Sequence, residues 1–447
     1  MSSLLLKNGT VVNPSGIEKA DILIADGRIE SVQNTSTNDN QEDTIFDCAG
    51  KLILPGAIDP HVHLALPTPA GLSCDDFLSG SKAALMGGTT AIFDFVTPRR
   101  GQSLKEALIQ RRFESSHSLI TCGLHMGISE WNPAVQRELM HCIEHEQVKS
   151  VKAYLAYRDS IGIDYHELEA LMKALTGSGT VLMVHAEEGE TIARLQREYL
   201  ARGCSGPVYH AASRPAETEY QAIDKVLEIA ARTGCIVYIV HISTQRGAEL
   251  TGKAKASGIP VFGETCPHYL LFDDSVYDEK KLPEEVLPFI FSPPVRSSDD
   301  REGLWDAIRN GWIDVVATDH CPFHLHGQKD RAIHDFTQIP NGTGSIEHRV
   351  NLLFTFGVVT GKISLLRMVE LVSSNPAEIF GLGTKKGVIA KDFDADLMIW
   401  DSGREFTISA GNHLSRADHD LYEGIVMKGS PCMVFHKGVR HMMERRK

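Results

Sequence analysis

The sequence predicts an α/β protein, a (β/α)8 barrel of the TIM type joined to a small β-sandwich domain built from both chain termini. Three observations predict it. Eight strand-like runs alternate with helical patterns through the middle of the 447 residues. Most of these runs are apolar at nearly every position, as parallel strands covered on both faces are. Short strands with turn dipeptides occupy the two ends of the chain.

Taken in order, "SLLLKNGTVV" and "ADILIADGRIESV" each hold an Asn-Gly or Asp-Gly pair between apolar stretches, the signature of tight hairpin turns in a β meander. The same texture returns in "ADLMIWDSGREFTIS" and "GSPCMVFHKGVR". Neither segment is long enough to bury a sheet face alone, so the two are expected to combine. The expected division is a β domain of residues 1–54 plus 385–447 and a barrel of residues 55–384.

Within the barrel segment the eight runs are "KLILPGAIDPHVHL", "TTAIFDFV", "LITCGLHMGI", "SVKAYLAY", "TVLMVHAE", "CIVYIVHIS", "IPVFGETCPHYL" and "DVVATDHCPF". Between them lie helical stretches such as "DDFLSGSKAALMG", "NPAVQRELMHCIEHE", "YHELEALMKAL", "EYQAIDKVLEIAARTG" and "REGLWDAIRNG". No glycine-rich phosphate fingerprint follows the first run, which counts against a dinucleotide-binding sheet.

Composition narrows the partners. A content of 42% hydrophobic and 23% charged residues suits a soluble globular protein. The formal net charge of −13 argues against nucleic acid and anionic membrane, whose phosphates are met by Lys and Arg clusters. The N-terminal "MSSLLLKNGT" carries too short an apolar run for a signal peptide, and no segment approaches membrane-spanning length, so a cytoplasmic protein is expected. Nine cysteines without a CxxC pair read as free thiols of a reducing compartment.

In such a barrel the chemistry gathers where the strands end. His61 and His63 end the first run, Lys152 and Tyr157 lie on the fourth, and His185, His241, His268 and Asp319 end the fifth to eighth. Alternate side chains of a strand share a face, so His61 and His63 can point into the mouth together and hold one metal. Asp59, on the same face, is expected to orient a histidine from behind. Imidazoles and a carboxylate converging from separate strands would be costly to bury without a cation. Lys152 reads either as a salt-bridging lysine or as an amine that takes up carbon dioxide to become an anionic carbamate. His320, Cys321 and His324 are expected to pack or line the loop after Asp319, and His141 and His145 to be solvated on a helix.

These residues sit in segments that resemble the cyclic amidohydrolases of the amidohydrolase superfamily, most closely the dihydropyrimidinase and D-hydantoinase branch. The matching segments include "GAIDPHVHL", "GLHMGISEW", "VKAYLAY", "VHAE", "YHAASRPAETE", "YIVHIS", "ETCPHYL", "FSPPVR", "VVATDHCPF" and "IPNGTGSIEHRV", in family order over most of the barrel. The resemblance implies a binuclear centre of two divalent ions, zinc by family habit. His61, His63 and Asp319 would hold the more buried ion, His185 and His241 the more exposed one, and carbamylated Lys152 would bridge them. It further implies Asp319 as general acid/base, Tyr157 as the oxyanion-stabilising group, and Ser292 and Asn341 as the residues whose backbone holds the cyclic imide, with His268 behind the ligands.

The activity so implied is hydrolytic ring opening of a small cyclic amide or imide, 5,6-dihydropyrimidines or 5-substituted hydantoins, to an N-carbamoyl amino acid, by a homo-oligomer, dimer or tetramer. Allantoinase or another cyclic-ureide hydrolase is the second reading, and a silent dihydropyrimidinase-related scaffold the third. Retention of the entire ligand set argues against the scaffold. "HVHLALP" lacks the arginine with which a dihydroorotase binds its substrate carboxylate, which argues against an acidic ring, and "TPAGLSC" departs from the glycine-rich loop common in hydantoinases.

Overall fold

A computed structural model describes residues 3–34, 44–157 and 160–442. Its N-terminal strands are β1 (Ser3–Asn13), β2 (Gly16–Ala25), β3 (Arg28–Gln33), β4 (Thr44–Asp47) and β5 (Leu52–Pro55). Asp26 and Gly27, at φ 50° and 77°, make the expected hairpin turn between β2 and β3. Asn8-Gly9 does not turn the chain. It is a bulge within β1, where the register against β2 shifts between Leu6 and Gly9. Asn8 takes φ 61° there, held by a hydrogen bond from its backbone N–H to Asp21 and another from its side chain to Asp47.

The barrel strands follow: β6 (Ala57–Val62), a short hairpin of β7 (Pro67–Thr68) and β8 (Gly71–Leu72), then β9 (Thr89–Val96), β10 (Thr121–Ile128), β11 (Ser150–Tyr154), β12 (Val181–His185), β13 (Val237–Ile239), β14 (Val261–Thr265) and β15 (Val315–Val316). Strands β16 (Leu397–Thr407), β17 (Val426–His436) and β18 (Val439–Met442) complete the set; residues 443–447 of the C-terminal segment lie outside the described residues.

Both termini contribute to one sheet, in the order β18-β17-β16-β5-β1-β2-β3 with β4 paired to β1. The seam between them is the antiparallel pairing of β16 with β5, Leu397 opposite Pro55 through Trp400 opposite Leu52. Leu6, Val11, Ile22, Ile29, Ile53, Leu397 and Phe435 form the core of this sheet.

The second sheet is wholly parallel, in the order β15-β14-β13-β12-β11-β10-β9-β6. Its ends meet: Val62 bridges His320 in parallel register, and the His63 N–H donates to the His320 carbonyl at 2.8 Å. Inside the ring, Ile58, Phe93, Phe95, Met183, Tyr238 and Ala317 pack as one cluster beneath the mouth. Helices cover the outside. The helix Tyr165–Leu175 starts at a capping box of Asp164 and Glu167. Helix Ala216–Thr233 buries Ala222, Ile223, Val226, Leu227 and Ala230, an i, i+3/i+4 stripe, and stops at Gly234 in the left-handed region. No described helix is long and apolar enough to cross a membrane.

Candidate metal centre

Three of the residues singled out in the sequence sit just past the strand ends rather than on them. Tyr157, His241 and Asp319 follow β11, β13 and β15 by a few residues, and all three take positive φ, 60°, 39° and 51°. A non-glycine residue there costs about 1–3 kcal/mol and persists only when its surroundings hold it, typically at a functional site.

The structure brings His61, His63 and Asp319 together. Nε2 of His61 and Nε2 of His63 lie 3.2 Å and 3.1 Å from the same oxygen, Oδ1 of Asp319. One ligand atom from each falls within 4.8 Å of the others. The His61 ring is oriented by Glu264, whose Oε1 is 2.7 Å from Nδ1 and also accepts from the His241 N–H at 3.0 Å; its Oε2 accepts from the Tyr238 hydroxyl at 2.7 Å. Asp59, expected in that orienting role, instead ties backbone. It accepts from the N–H of His61 and from the N–H and hydroxyl of Thr318, joining the first strand to the loop that carries Asp319.

Across the mouth, Nδ1 of His185 lies 2.9 Å from Nε2 of His241, and Nε2 of His185 lies 2.8 Å from Glu187. Glu187 is held in turn by Arg214 at 2.6 Å. Among the described residues Nδ1 of His241 is buried without a partner. Burial, and after it neighbouring positive charge, lowers the His61 and His241 imidazoles well below their usual range; burial also lowers His185. Burial therefore favours the neutral form of all three rings. With Glu187 accepting the Nε2 proton of His185, the nitrogens facing His241 need a proton or a cation between them. Neutral imidazoles aimed at a carboxylate oxygen, with nitrogens facing across 2.9 Å, fit a divalent metal.

Lys152 lies between the two groups on β11, buried, its Nζ 5.0 Å from the Phe95 ring centroid and 5.3 Å from that of Tyr154. Burial pushes its ammonium down to about 8, so a share of it is free amine near neutral pH. Asp319 is held well below the carboxylate range by His61 and His63, against the opposing effect of burial.

Above these groups opens a cavity of about 440 Å³, to which Tyr157, Ser292 and Asn341 contribute along with Cys321. The Ser292 hydroxyl donates to Oδ1 of Asn341 at 3.3 Å, and the Arg214 guanidinium lies 5.4 Å from the Tyr157 ring centroid. His268 stands apart: it sits on the helix Pro267–Leu271, buried against Tyr269 and Phe291, with neither ring nitrogen partnered among the described residues and burial pushing it down to about 3. His320 is turned to Asp75 and the N–H of Ser345, and His324 is half-exposed near Asp418. A larger cleft of about 620 Å³, lined by Tyr199, Arg202, Tyr277, Arg296 and Asp300, holds none of these groups.

Sequence reasoning missed Glu264, Glu187 and Arg214, although each lies inside a segment singled out above. It also missed Lys329, whose buried Nζ donates to the carbonyls of Leu287, Ile290 and Gly342 at 3.1, 2.9 and 2.8 Å. That Nζ ties together the loops that carry Ser292 and Asn341.

Comparison with known proteins identifies the family and the fold. The profile of the amidohydrolase family matches residues 52–439. The D-hydantoinase of Geobacillus stearothermophilus is 38% identical over 435 residues, covering 97% of this chain and 92% of that one. A D-phenylhydantoinase of Escherichia coli is 37% identical over 438 residues, covering 97% and 93%. The crystal structure of dihydropyrimidinase from Brevibacillus agri superimposes with a TM-score of 0.95 at 34% identity, covering 98% of this chain and 94% of that one. With a metal-ligand cluster at the mouth of a parallel barrel and family similarity along nearly its whole length, the chain belongs to the amidohydrolase family.

Proposed function

We propose that this chain opens the ring of a cyclic amide or imide, a 5,6-dihydropyrimidine or 5-substituted hydantoin, by hydrolysis to an N-carbamoyl amino acid. The observation that carries the reading is the convergence of His61 and His63 on Asp319, opposite the His185–His241 pair, at the foot of a cavity sized for a small ring. In this reading His61, His63 and Asp319 would hold one divalent ion and His185 and His241 a second, both zinc, and Lys152, carbamylated on its free amine, would supply an anionic ligand. When bound, such ions supply Lewis acidity and lower the pKa of water from about 16 toward about 7.

The chain's own groups then have separate tasks. Asp319 accepts the proton of the attacking water and passes it to the departing ring nitrogen. Tyr157 donates its hydroxyl proton in a hydrogen bond to the carbonyl oxygen as negative charge develops there, and burial raises the phenol so that it keeps that proton. Backbone groups at Ser292 and Asn341 hold the imide edge, fixed in place by Lys329. Leu66, Pro67, Pro69, Ile161 and Ile339 give the cavity an apolar wall, which supports an uncharged ring substituent over a carboxylate.

The same reading assigns the catalytic work to residues 55–384 and treats residues 1–54 with 385–447 as the supporting β domain. It places the enzyme in the cytoplasm as a homo-oligomer, a dimer or tetramer. Ile109 and Phe113, 55% and 72% exposed at i and i+4 of one helix, support a subunit contact. The experiment is to load the purified protein with Zn²⁺ and supply dihydrouracil, phenylhydantoin, allantoin and dihydroorotate separately. Ring opening of either of the first two is expected. Turnover confined to allantoin or dihydroorotate would overturn the substrate class.

A further inference from the structure

Away from the barrel mouth, a second set of ligand-type side chains is buried where the C-terminal segment returns to the barrel. His413 and Asp420 lie in the excursion between β16 and β17, and His348 immediately precedes the helix Arg349–Leu353. Oδ2 of Asp420 is 2.9 Å from Nε2 of His348 and 3.1 Å from Nδ1 of His413. The three side chains are only 2%, 4% and 5% exposed for His348, His413 and Asp420. One ligand atom from each lies within 4.8 Å of the others, beside a cavity of about 10 Å³.

We propose that His348, His413 and Asp420 form a separate structural metal site for an imidazole-seeking divalent cation such as Zn²⁺. Both nitrogens of His413 face oxygens, Nε2 the carbonyl of Ala417 at 3.0 Å and Nδ1 the Asp420 carboxylate. A neutral imidazole has one N–H. Donated to Ala417, it leaves the Nδ1 lone pair against a carboxylate oxygen, a contact relieved either by a second proton, which the Asp420 carboxylate favours against the effect of burial, or by a cation. The hydrogen bond to Ala417 is also how a metal-binding histidine is usually fixed from behind.

Among the described residues Nδ1 of His348 is buried without a partner, so its one side-chain hydrogen bond is from Nε2 to Asp420, and a cation bound at Nε2 would take the place of that proton. Bonds of about 2.0–2.1 Å to zinc set neighbouring ligand atoms about 3.3 Å apart in a tetrahedron, slightly wider than the spacings present. The adjoining cavity is about the volume a water needs, which suits a fourth ligand. Two imidazoles and one carboxylate favour zinc and its transition-metal neighbours over calcium or magnesium.

Such an ion would clamp the C-terminal excursion to the barrel. The same excursion holds Asp75 through the Ser415 hydroxyl and the Arg416 N–H, and Asp75 contacts His320, the neighbour of Asp319. The test is to strip the full-length protein with a chelator, reconstitute it with Zn²⁺ and count bound zinc by atomic emission. His413→Gln and Asp420→Asn should each bind one zinc fewer per chain than wild type, whatever the occupancy of the catalytic centre. Soaking wild-type crystals in Zn²⁺ should give an anomalous peak between His348, His413 and Asp420, which needs no variant to fold. Equal zinc counts in wild type and folded variants, or no peak at saturating Zn²⁺, would overturn the site and leave a hydrogen-bonded trio with a protonated His413.

Discussion

Glu264 offers the sharpest test of how the ligands are aimed. Its carboxylate collects three buried donors: Nδ1 of His61, the His241 N–H and the Tyr238 hydroxyl. Replacement by alanine would strand all three. At about 1–3 kcal/mol for each unsatisfied group, the loss approaches the entire stability of a domain, about 5–15 kcal/mol, so that variant is expected to unfold. Glu264→Gln is the informative change. An amide oxygen on the Oε1 side keeps both His61 and His241, while the amide nitrogen meets the Tyr238 hydroxyl, which rotates to accept. Burial pushes the Glu264 carboxyl up to about 7, so above that pH the shape survives the change and the negative charge is lost. That charge keeps the proton of His61 on Nδ1 and leaves Nε2 to bind. Loss of a partner behind a ligand weakens metal binding about 10–100-fold, which is about 1.4–2.7 kcal/mol. Competition with a chromophoric chelator should show that drop, and excess Zn²⁺ should restore much of the turnover. KM should not move, because Glu264 does not line the cavity. Metal affinity unchanged from wild type would refute the orienting role.

Lys152→Ala is expected to lose activity and most bound metal, with partial rescue by short carboxylic acids or bicarbonate; an active, fully metallated alanine variant would refute the bridge. Asp319→Asn should cut turnover at least about a hundredfold while the fold and part of the metal survive. Turnover near wild type with metal bound would assign the proton transfer to another group. Lys329→Met strands the carbonyls of Leu287, Ile290 and Gly342 and should raise KM far more than it lowers kcat. Steady-state kinetics at saturating metal decide this, and an unchanged KM would show that the substrate loops hold themselves.

The barrel was legible because parallel strands buried on both faces leave continuous apolar runs, and β9 and β12 are buried at every position. His61 and His185 were legible for the same reason, as polar residues at the ends of such runs. Asn8-Gly9 was misread because the local chemistry of a turn and a bulge is the same. Tertiary contacts decide between them: a Cβ on Gly9 would lie 2.3 Å from Cδ1 of Ile53, against which the strand passes. Asp59 was given Glu264's task because spacing sees only near neighbours. Glu264 is 203 residues from His61, and only the closed ring of strands brings them together.

The positive φ of Tyr157, His241 and Asp319 was equally invisible, and it explains why the supporting groups matter as much as the ligands. At about 1–3 kcal/mol each, the three turns store about 3–9 kcal/mol, more than any one hydrogen bond returns. Each is held by a separate device. The Tyr157 carbonyl accepts from the N–H groups of Ser160, Ile161 and Gly162. The His241 N–H is bound to Glu264, and Asp319 is flanked by the Asp59–Thr318 tie and the hydrogen bond from His63 to the His320 carbonyl. Asp59 and Glu264 are both fully buried and both join strands distant in sequence. The turns at His241 and Asp319 are therefore fixed by closure of the barrel itself, and the candidate metal-binding atoms are presented already converged.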